Sequence, residues 1–373
     1  MEKLLFITTW DFKDEISTGI TNKIKAQIKA FEKNGFQVDY TYIYGNDAVF
    51  CKNGEEIVLG KVGKLRKLAA NFYLWRRMKQ ENYKYVYSRY ALADYFYIKL
   101  LGLFSKRNST VIVEMPTFPY DKEQAPGIIW WGLYTIDKIF RVKLKKVVNY
   151  IATYYKNEEI FGLPTIMMYN GIDFEKTKVR NPQNETKQIR LLAVAALSRW
   201  HGYDRLLEGL GEYYKQPRDR EVVFHIVGDG PVRKEYEKIV EKHHISKYVV
   251  FHGMKYKEEL DAFYDICDIG VENLGFHRSG ILLSSTLKSR EYGAKGLPFV
   301  TSCKVDVFEE VDFVLNLEPC EGAIDIEKII RFYDEMYTYN DKHEMAVRIR
   351  DIARKRCDIV STILPVVDKF RQQ

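Results

Sequence analysis

The fold of this chain is decided by one stretch in its last third. It reads Gly-Phe-His-Arg-Ser-Gly at residues 275–280 and, after three apolar residues, Ser-Ser-Thr-Leu-Lys-Ser-Arg-Glu-Tyr-Gly-Ala-Lys-Gly-Leu-Pro at residues 284–298. The hydroxyl residues that open the second segment favour a helix start, and its last glycine and proline favour the helix end. Lys288 then lies in the first turn, where a cation opposes the helix dipole by about 0.3–1 kcal/mol. This placement predicts an anion at the amino end of the helix.

The start of this helix has the features of a phosphate-binding site. Free backbone N–H groups, hydroxyl side chains and the ammonium group of Lys288 all favour phosphate. Glu291 lies three residues further on the same helix face, where its carboxylate suits the hydroxyls of a ribose. The same spacing is also typical of an amphipathic surface helix with a solvated charged face. The candidate donor-binding residues in this stretch are Ser284, Ser285, Thr286, Leu287, Lys288 and Glu291.

Residues 291–300, Glu-Tyr-Gly-Ala-Lys-Gly-Leu-Pro-Phe-Val, resemble the Glu-Ala-x-Ala-x-Gly-x-Pro-Val segment of the family 4 glycosyltransferases of the GT-B fold. The resemblance covers most of the chain and is strongest from about residue 189 to residue 301. It implies an α/β fold of two Rossmann-like domains facing a cleft, with a C-terminal helix that crosses back to the first domain. It also implies that Glu291 holds the ribose of a nucleotide and that the preceding turn holds its diphosphate.

One position departs from the resembled family. The family carries a first glutamate eight residues before the second, and here that position is Leu283. The residues that contact the donor sugar are therefore altered, and we expect His277 or Arg278 to take over this role.

Length and composition indicate a two-domain globular enzyme. At 373 residues the chain is too long for one ordinary core, and its 46% hydrophobic and 29% charged residues are typical of a soluble protein. The chain opens on a short strand-like run instead of a signal peptide, and no apolar run reaches the ~18 residues of a membrane span. Five scattered cysteines without a CxxC pair indicate buried thiols in a reducing cytoplasm.

The strand and helix patterns predict the domain boundaries. Residues 1–174 form an acceptor-side domain, 175–188 a polar linker, 189–356 a donor-binding domain, and 357–373 a helix returning to the first domain. Near the start, a strand at 4–8 is followed by a glycine turn at Ser17-Thr18-Gly19 and a helix, as in nucleotide-binding α/β units. Gly19 in that turn either makes a tight connection or, as the resemblance implies, belongs to a loop that closes over the donor phosphates.

The second domain restarts this pattern with a strand at 189–196. The turn at 198–204 lines up with the family's Gly-Arg-Leu-x-x-x-Lys-Gly segment, where Ala196 replaces the arginine and His201 the lysine that neutralise the diphosphate. Arg199 can supply the missing charge, and His201 either binds a phosphate oxygen or makes a hydrogen bond at the helix start. Two further turns resemble the family's donor site, Gly228 with Gly230, and Gly253 with Met254, where the family's base rests.

Polar residues follow two predicted strands of the first domain. Arg89, Glu114 and Tyr120 come at or after the ends of these strands, where ligands of open α/β sheets collect. They are acceptor-side candidates, although the two charged residues can equally pair with each other. Many family members place a histidine near the reacting sugar in this domain, but no histidine precedes His201 here. The candidate catalytic residues are therefore Gly19, Glu114, His277 and Arg278.

Residues 51–150 are basic and aromatic. They contain 19 Lys and Arg against 8 Asp and Glu, a larger positive surplus than the +7 of the whole chain. Tryptophan beside lysine and arginine is the composition of a segment at an anionic bilayer surface, but also of a nucleic-acid surface or a solvated face. We expect no nucleic acid, because no known binding motif accompanies the charge. The membrane-side candidates are Trp130, Trp131, Lys143, Lys145 and Lys146.

Together these patterns predict a glycosyltransferase that moves a sugar from a nucleoside-diphosphate sugar to a lipid-linked or polysaccharide-precursor acceptor. The resemblance implies retention at the anomeric carbon without a metal or other cofactor, since the departing diphosphate needs charge stabilisation more than a strong base. We expect a cytoplasmic protein, peripheral at the inner membrane face. Two alternatives stay open: a sugar-nucleotide isomerase on the same fold, and a non-catalytic nucleotide-sugar-binding protein.

Overall fold

The computed structural model describes residues 2–14, 18–120, 128–183, 188–256 and 258–372. The chain divides into two compact units: unit 1 comprises Met1–Tyr169 and Ile359–Gln373, and unit 2 comprises Asn170–Asp358. These boundaries lie a few residues from those predicted at 174 and 357. Each unit is an α/β structure with helices packed on a mainly parallel sheet.

Unit 1 contains β1 (Glu2–Ile7), α1 (Thr18–Lys33), β2 (Phe36–Tyr44), β3 (Asp47–Lys52), β4 (Glu55–Lys61), α2 (Arg66–Met78), β5 (Tyr85–Arg89), α3 (Tyr95–Ser105), β6 (Thr110–Met115), α4 (Ile128–Arg141), β7 (Tyr150–Thr153), β8 (Glu159–Ile160) and β9 (Leu163–Met167). Among the described residues its sheet has the order β4-β3-β2-β1-β5-β6-β7-β9-β8. The central strands of this sheet are parallel: β2, β1, β5, β6, β7 and β9. The outer strands β3, β4 and β8 each pair antiparallel with a neighbour.

Unit 2 contains β10 (Gln188–Val194), α5 (Tyr203–Tyr213), β11 (Glu221–Val227), α6 (Arg233–Lys242), β12 (Val249–Gly253), α7 (Glu258–Ile266), β13 (Ile269–Val271), β14 (Leu283–Ser284), α8 (Leu287–Lys295), β15 (Phe299–Thr301), β16 (Lys304–Val305), β17 (Val314–Asn316), α9 (Ile326–Tyr337) and α10 (Lys342–Cys357). Its main sheet, in the part of the chain described, has the order β12-β11-β10-β13-β15-β17 and is parallel throughout. The short strands β14 and β16 pair with each other.

The end of the chain completes unit 1, as the returning helix was predicted to do. Two short helices, α11 (Ile359–Thr362) and α12 (Leu364–Arg371), pack on α1 and the sheet. Phe370 is fully buried, with its ring centroid 5.1 Å from Tyr85, 6.1 Å from Phe36 and 6.3 Å from Phe31. Such aromatic contacts add to the hydrophobic stabilisation of area burial. Residues 359–371 are therefore part of the core of unit 1.

The segment predicted as a linker is not a free connection over its described part. Arg180 is buried, and its guanidinium donates to the carbonyls of Gly296 (3.1 Å) and Cys267 (2.6 Å) and to the hydroxyl of Tyr337 (2.7 Å). The polar composition of 175–188 suggested solvent exposure, but these acceptors give the arginine a buried position in unit 2. Residues 184–187 of the predicted linker lie outside the described residues.

Replacing Phe370 by alanine should lower the free energy of unfolding by about 3–5 kcal/mol, the usual cost of deleting a buried aromatic ring. Chemical denaturation followed by circular dichroism measures this loss. Leu364→Ala is the matched control on the same helix, because Leu364 is 39% exposed. A Phe370→Ala loss no larger than the control loss would contradict the packing of α12 into unit 1.

Candidate functional site

The carboxyl ends of the parallel strands of unit 2 lie at one edge of its sheet, where polar loops follow them. The loop after β10 contains the 3-10 turn Arg199–His201, and the loop after β13 contains the 3-10 turn Phe276–Ser279 and leads to α8. Ligands of open α/β sheets collect at such an edge. The structure thus brings most of the predicted donor-binding residues to one side of unit 2.

Two of these loops touch backbone to backbone at Gly202 and Gly275. A Cβ atom on Gly202 would lie 2.4 Å from the backbone nitrogen of Gly275, and Gly202 has a φ of +66°. Only glycine fits there. The contact lets the N–H of Leu274 donate to the carbonyl of His201 at 2.7 Å. The loops after β10 and β13 are consequently held as one piece.

Helix α8 begins and ends where the sequence predicted. Thr286 is its N-cap and accepts a hydrogen bond from the N–H of Ser289, while Gly296 closes it in the left-handed conformation. The N–H groups of Leu287 and Lys288, in the first turn, have no acceptor within the helix. They can therefore bind an anion, which the positive end of the helix dipole also favours.

Lys288 is tied to its surroundings by neutral oxygens. Its ammonium donates to the hydroxyl of Tyr203 (2.9 Å), the carbonyl of Glu272 (3.3 Å) and the side-chain oxygen of Asn273 (3.3 Å). Burial lowers the pKa of Lys288 to about 8, against the opposing charges of Glu272 and Glu291. The cation is thus poorly solvated, and a phosphate placed beside it would stabilise its charge.

His201 makes the helix-start hydrogen bond that was one of its two predicted roles, and its phosphate contact stays a prediction. Its Nδ1 accepts the N–H of Ser198 at 3.1 Å, a hydrogen bond at the start of the turn. Burial and the charge of Lys288 lower the pKa of His201 to about 2, so the ring is neutral. Because Nδ1 is an acceptor, the proton lies on Nε2. The ring, stacked on Tyr203 with centroids 5.3 Å apart, therefore offers one N–H to a ligand.

Glu291 lies on α8, one turn after Lys288. Burial raises the pKa of Glu291 above its ordinary value, although Tyr264 and Lys295 act in the opposite direction. Hydroxyl groups donating to this carboxylate would stabilise its ionised form. The position on the helix and the incomplete solvation fit the predicted contact with a ribose.

Glu272 is a central residue that the sequence reasoning missed. It follows β13 directly, is fully buried, and accepts hydrogen bonds from Ser284 (3.0 Å), Thr286 (2.5 Å) and Thr301 (2.8 Å). The signal that was available is a polar residue at the carboxyl end of a predicted strand, the same signal that selected Arg89 and Glu114.

His277 and Arg278 hold the loop itself. Arg278 pairs with Asp204 (2.6 Å) and Glu321 (2.7 Å) and also donates to the carbonyl of Arg199, while Nε2 of His277 lies 2.8 Å from Glu321. The two carboxylates raise the pKa of Arg278. Arg278 forms ion pairs, and His277 lies within hydrogen-bond distance of Glu321, so the two side chains join three segments of unit 2. That one of them replaces the missing sugar-contacting glutamate stays a prediction.

The other predicted donor-side residues differ in exposure. Arg199 and Met254 are exposed at the edge of the sheet, and so is Leu283 in β14. Ser284 is buried against Glu272, whereas the carbonyl of Ser285 accepts the side-chain amide of Asn170. The glycines of the later turns, Gly228, Gly230 and Gly253, lie at the same edge. A Cβ atom on Gly228 or Gly230 would clash with neighbouring backbone, and Gly228 and Gly253 have a positive φ.

In unit 1 the strand ends bring Arg89 and Glu114 together. They are paired across neighbouring strands at 2.7 Å, and Tyr154 donates its hydroxyl to the same Glu114 oxygen at 2.6 Å. Burial acts to raise the pKa of Glu114, but the charges of Arg89 and Lys23 and the Tyr154 hydrogen bond outweigh it, so that pKa lies below its ordinary value. The second Glu114 oxygen is buried and has no hydrogen-bond partner among the residues that the structure describes. The mutual pairing considered from the sequence is therefore present, with one acceptor atom left over.

Tyr120 and Gly19 are placed differently from what the sequence predicted. The hydroxyl of Tyr120 is buried against Asp137 (2.6 Å) and Tyr90 (3.3 Å), in a cluster separate from the Arg89–Glu114 pair. Gly19 is the second residue of α1, so it belongs to a helix start and not to the predicted turn. Ser17, also assigned to that turn, lies outside the described residues.

The basic and aromatic surface of unit 1 centres on α4. Trp130 and Trp131 are 41% and 69% exposed, and four further apolar side chains of α4 and the residue after it are exposed: Leu133, Ile136, Ile139 and Val142. Lys143, Lys145 and Lys146 follow, all exposed. Over the described ranges, no helix is long and apolar enough to cross a membrane.

The solved structures similar to this chain include the following three, each of low sequence identity. HepE of Anabaena, in complex with UDP and glucose, is 14% identical, with 100% of both chains covered and a TM-score of 0.60. Sucrose-phosphate synthase of Thermosynechococcus elongatus is 13% identical over 100% of this chain and 99% of that one, with a TM-score of 0.64. The lipopolysaccharide outer core galactosyltransferase WaaB is 14% identical over 99% and 100%, with a TM-score of 0.59.

At such identities the similarity shows the fold, and the fold is that of the two-domain GT-B glycosyltransferases. The prediction of the GT-B fold is thereby confirmed. In the sequence, residues 174–274 match the model of the glycosyl transferases group 1. No protein with a curated description matches the sequence significantly.

Substituting Lys288 by methionine should raise the free energy of unfolding at pH 7, because a poorly solvated cation is removed. An unfolded lysine keeps its proton to about pH 10.4, whereas folded Lys288 releases it near pH 8. Between these values the unfolded state binds more protons, so wild-type stability rises with pH. The advantage of the variant should therefore shrink from pH 8 to pH 10 in denaturation at constant salt. Lys234→Met, at an exposed position of α6, is the control for loss of a positive charge. A difference that does not change with pH would show that Lys288 is fully solvated.

Proposed function

We propose that this protein transfers a sugar from a nucleoside-diphosphate sugar to a lipid-linked or polysaccharide-precursor acceptor, with retention at the anomeric carbon. The observation that carries the proposal is the amino end of α8, where N–H groups without an acceptor in the helix, Lys288 and Glu291 lie at the carboxyl edge of a parallel sheet. HepE, of the same fold, binds UDP and glucose. WaaB, also of this fold, is a galactosyltransferase of the lipopolysaccharide outer core, which supports an acceptor of that kind.

In this proposal the donor residues mainly stabilise charge. The first N–H groups of α8 and the ammonium of Lys288 bind the diphosphate as it departs, and His201 donates its Nε2 proton as a neutral group. Such preorganised donors are usually the largest contribution to catalysis when a leaving group develops negative charge. Transfer with retention then requires no strong base. In this proposal these residues stabilise the charge of the departing diphosphate without a metal.

We place the acceptor at the carboxyl edge of the unit 1 sheet. Arg89 lies there partly exposed and can bind the incoming sugar, whereas Glu114 is fully buried. The lowered pKa of Glu114 favours its ionised form, so its role is to hold the guanidinium of Arg89 in place. Arg89 keeps the carboxylate ionised and fixed in direction.

Glu291→Ala should weaken binding of the donor nucleotide by roughly 1.5–3 kcal/mol, the range for hydrogen bonds to a charged group. Isothermal titration with UDP, ADP and GDP identifies the base and measures the loss. Glu212→Ala, an exposed carboxylate paired with Lys215, is the matched control and should bind like wild type.

The wild-type protein and these variants also distinguish glycosyl transfer from the two alternative functions, the isomerase and the binding protein. Transfer requires both a nucleotide sugar and an acceptor, and the anomeric configuration of the product is read by nuclear magnetic resonance. An altered free nucleotide sugar formed without acceptor would favour the isomerase, and binding without turnover on any glycan or lipid-linked acceptor would favour the binding protein. Unchanged nucleotide affinity in folded Glu291→Ala would remove Glu291 from the site.

We further propose that unit 1 binds anionic membrane surfaces through α4. Exposed large apolar side chains on one helix mark an interaction surface. From residue 128 to residue 150 the sequence holds five basic residues and one acidic residue, Asp137, which is fully buried. The exposed charge around the apolar face is thus positive, as expected for contact with an anionic bilayer.

The α4 surface should sediment the protein with liposomes that contain an anionic phospholipid and leave it in solution with neutral ones. Each basic residue near the surface contributes about 1 kcal/mol, which salt screens. Lys143→Glu with Lys145→Glu and Lys146→Glu should abolish binding at low salt, where charge dominates, and Ile136→Ser with Ile139→Ser should weaken it most at high salt, where apolar contact dominates. Val347→Ser, 40% exposed in unit 2, is the control. Wild-type protein left in the supernatant with anionic liposomes at low salt would refute membrane binding.

A further inference from the structure

The carboxylate of Glu272 is fully buried and is held by neutral donors from several segments. One oxygen accepts the hydroxyls of Ser284 (3.0 Å) and Thr286 (2.5 Å) and the amide of Asn273 (3.2 Å). The other accepts the hydroxyl of Thr301 (2.8 Å) and the backbone N–H of Asn273 (3.1 Å). The thiol of Cys303 also donates to this second oxygen at 3.9 Å, so six hydrogen bonds from the described residues converge on one side chain whose relative exposure is 0%.

A buried carboxylate of this kind is costly for folding. Removing a charge from water costs several kcal/mol even after relaxation, and apolar residues of similar volume often replace buried ions without loss of stability. Hydrogen bonds from neutral groups compensate for part of that cost. Stability alone therefore does not explain a buried carboxylate at Glu272. The residues that donate hydrogen bonds to it indicate a second role.

Two of the donors lead directly to the diphosphate-binding residues. Thr286, which donates to Glu272, is also the N-cap of α8, so the carboxylate orients the hydroxyl that accepts the N–H of Ser289. Asn273 donates its side-chain N–H₂ to Glu272 and thereby turns its oxygen toward the ammonium of Lys288 at 3.3 Å. The backbone carbonyl of Glu272 accepts from Lys288 as well.

We propose that Glu272 is a positioning residue for the diphosphate site. Its carboxylate holds the amino end of α8 and the ammonium of Lys288 in the arrangement in which both bind the same ligand. Being buried, it does not touch the donor itself. The inference rests on the proposed function, since it assigns Glu272 to the same diphosphate.

The charge of Glu272 gives this role a distinctive signature. The groups that face Lys288 are the carboxylates of Glu272 and Glu291, the thiol of Cys303 and the neutral ring of His201. The Tyr203 hydroxyl and the Asn273 amide complete its surroundings. Removing the negative charge of Glu272 takes away support for the ammonium, so Lys288 should lose its proton at a lower pH. A residue that merely stabilised the fold would not move this titration.

The test is the affinity for UDP and for inorganic pyrophosphate, measured by calorimetry from pH 6 to pH 9.5. In wild-type protein we expect affinity to fall as the pH rises through about 8. Glu272→Gln, which keeps the shape but not the charge, should bind about tenfold more weakly at pH 7, in line with the loss of charged hydrogen bonds. Its affinity should also begin to fall at lower pH, and Glu272→Asp should restore the wild-type pH profile in part.

A second pair of variants decides the question if Glu272→Gln does not fold. Thr286→Val loses both the cap and the hydrogen bond to Glu272 and should weaken pyrophosphate binding, and Thr286→Ser should recover most of the lost affinity. Folded Glu272→Gln with wild-type affinity and pH profile, or Thr286→Val with wild-type affinity, would overturn the inference. Wild-type protein that binds no nucleoside diphosphate and no pyrophosphate would overturn the proposed function, and this inference with it.

Discussion

Unit 2 depends on the backbone contact between Gly202 and Gly275. Because neither residue has a side chain, the loop after β10 and the loop after β13 approach closely enough for the N–H of Leu274 to reach the carbonyl of His201. The ion pair of Arg278 with Asp204 closes the same two loops at the surface. His201, Tyr203 and Lys288 can then lie side by side, although they come from distant parts of the sequence.

This geometry produces a site with positive charge that water solvates poorly. The ammonium of Lys288 faces neutral oxygens, the imidazole of His201 is held uncharged, and the helix dipole of α8 points its positive end toward the same edge. Each of these groups would stabilise an anion at this edge, and this is the arrangement on which the proposed diphosphate site rests.

Local signals predicted the local structure well. The start of α8 at Thr286, its end at Gly296 and the position of Lys288 in its first turn follow from hydroxyl, glycine and dipole preferences that act within one turn. The two-domain GT-B plan followed from a resemblance of short segments. The placement of Arg180, Glu272 and Arg278 did not follow, because their partners are distant in sequence: the bond of Arg180 to Tyr337 spans 157 residues and that of Arg278 to Glu321 spans 43. Single-residue preferences carry no information about such partners.

The return of the chain to unit 1 has a consequence for how the protein is made. Phe36 and Tyr85 belong to the early part of the chain, but the ring of Phe370 that covers them is synthesised only after the whole of unit 2. Unit 1 is therefore discontinuous in sequence, and its core cannot be completed before residues 359–371 have been synthesised. Unit 2, in contrast, is one continuous segment of the chain.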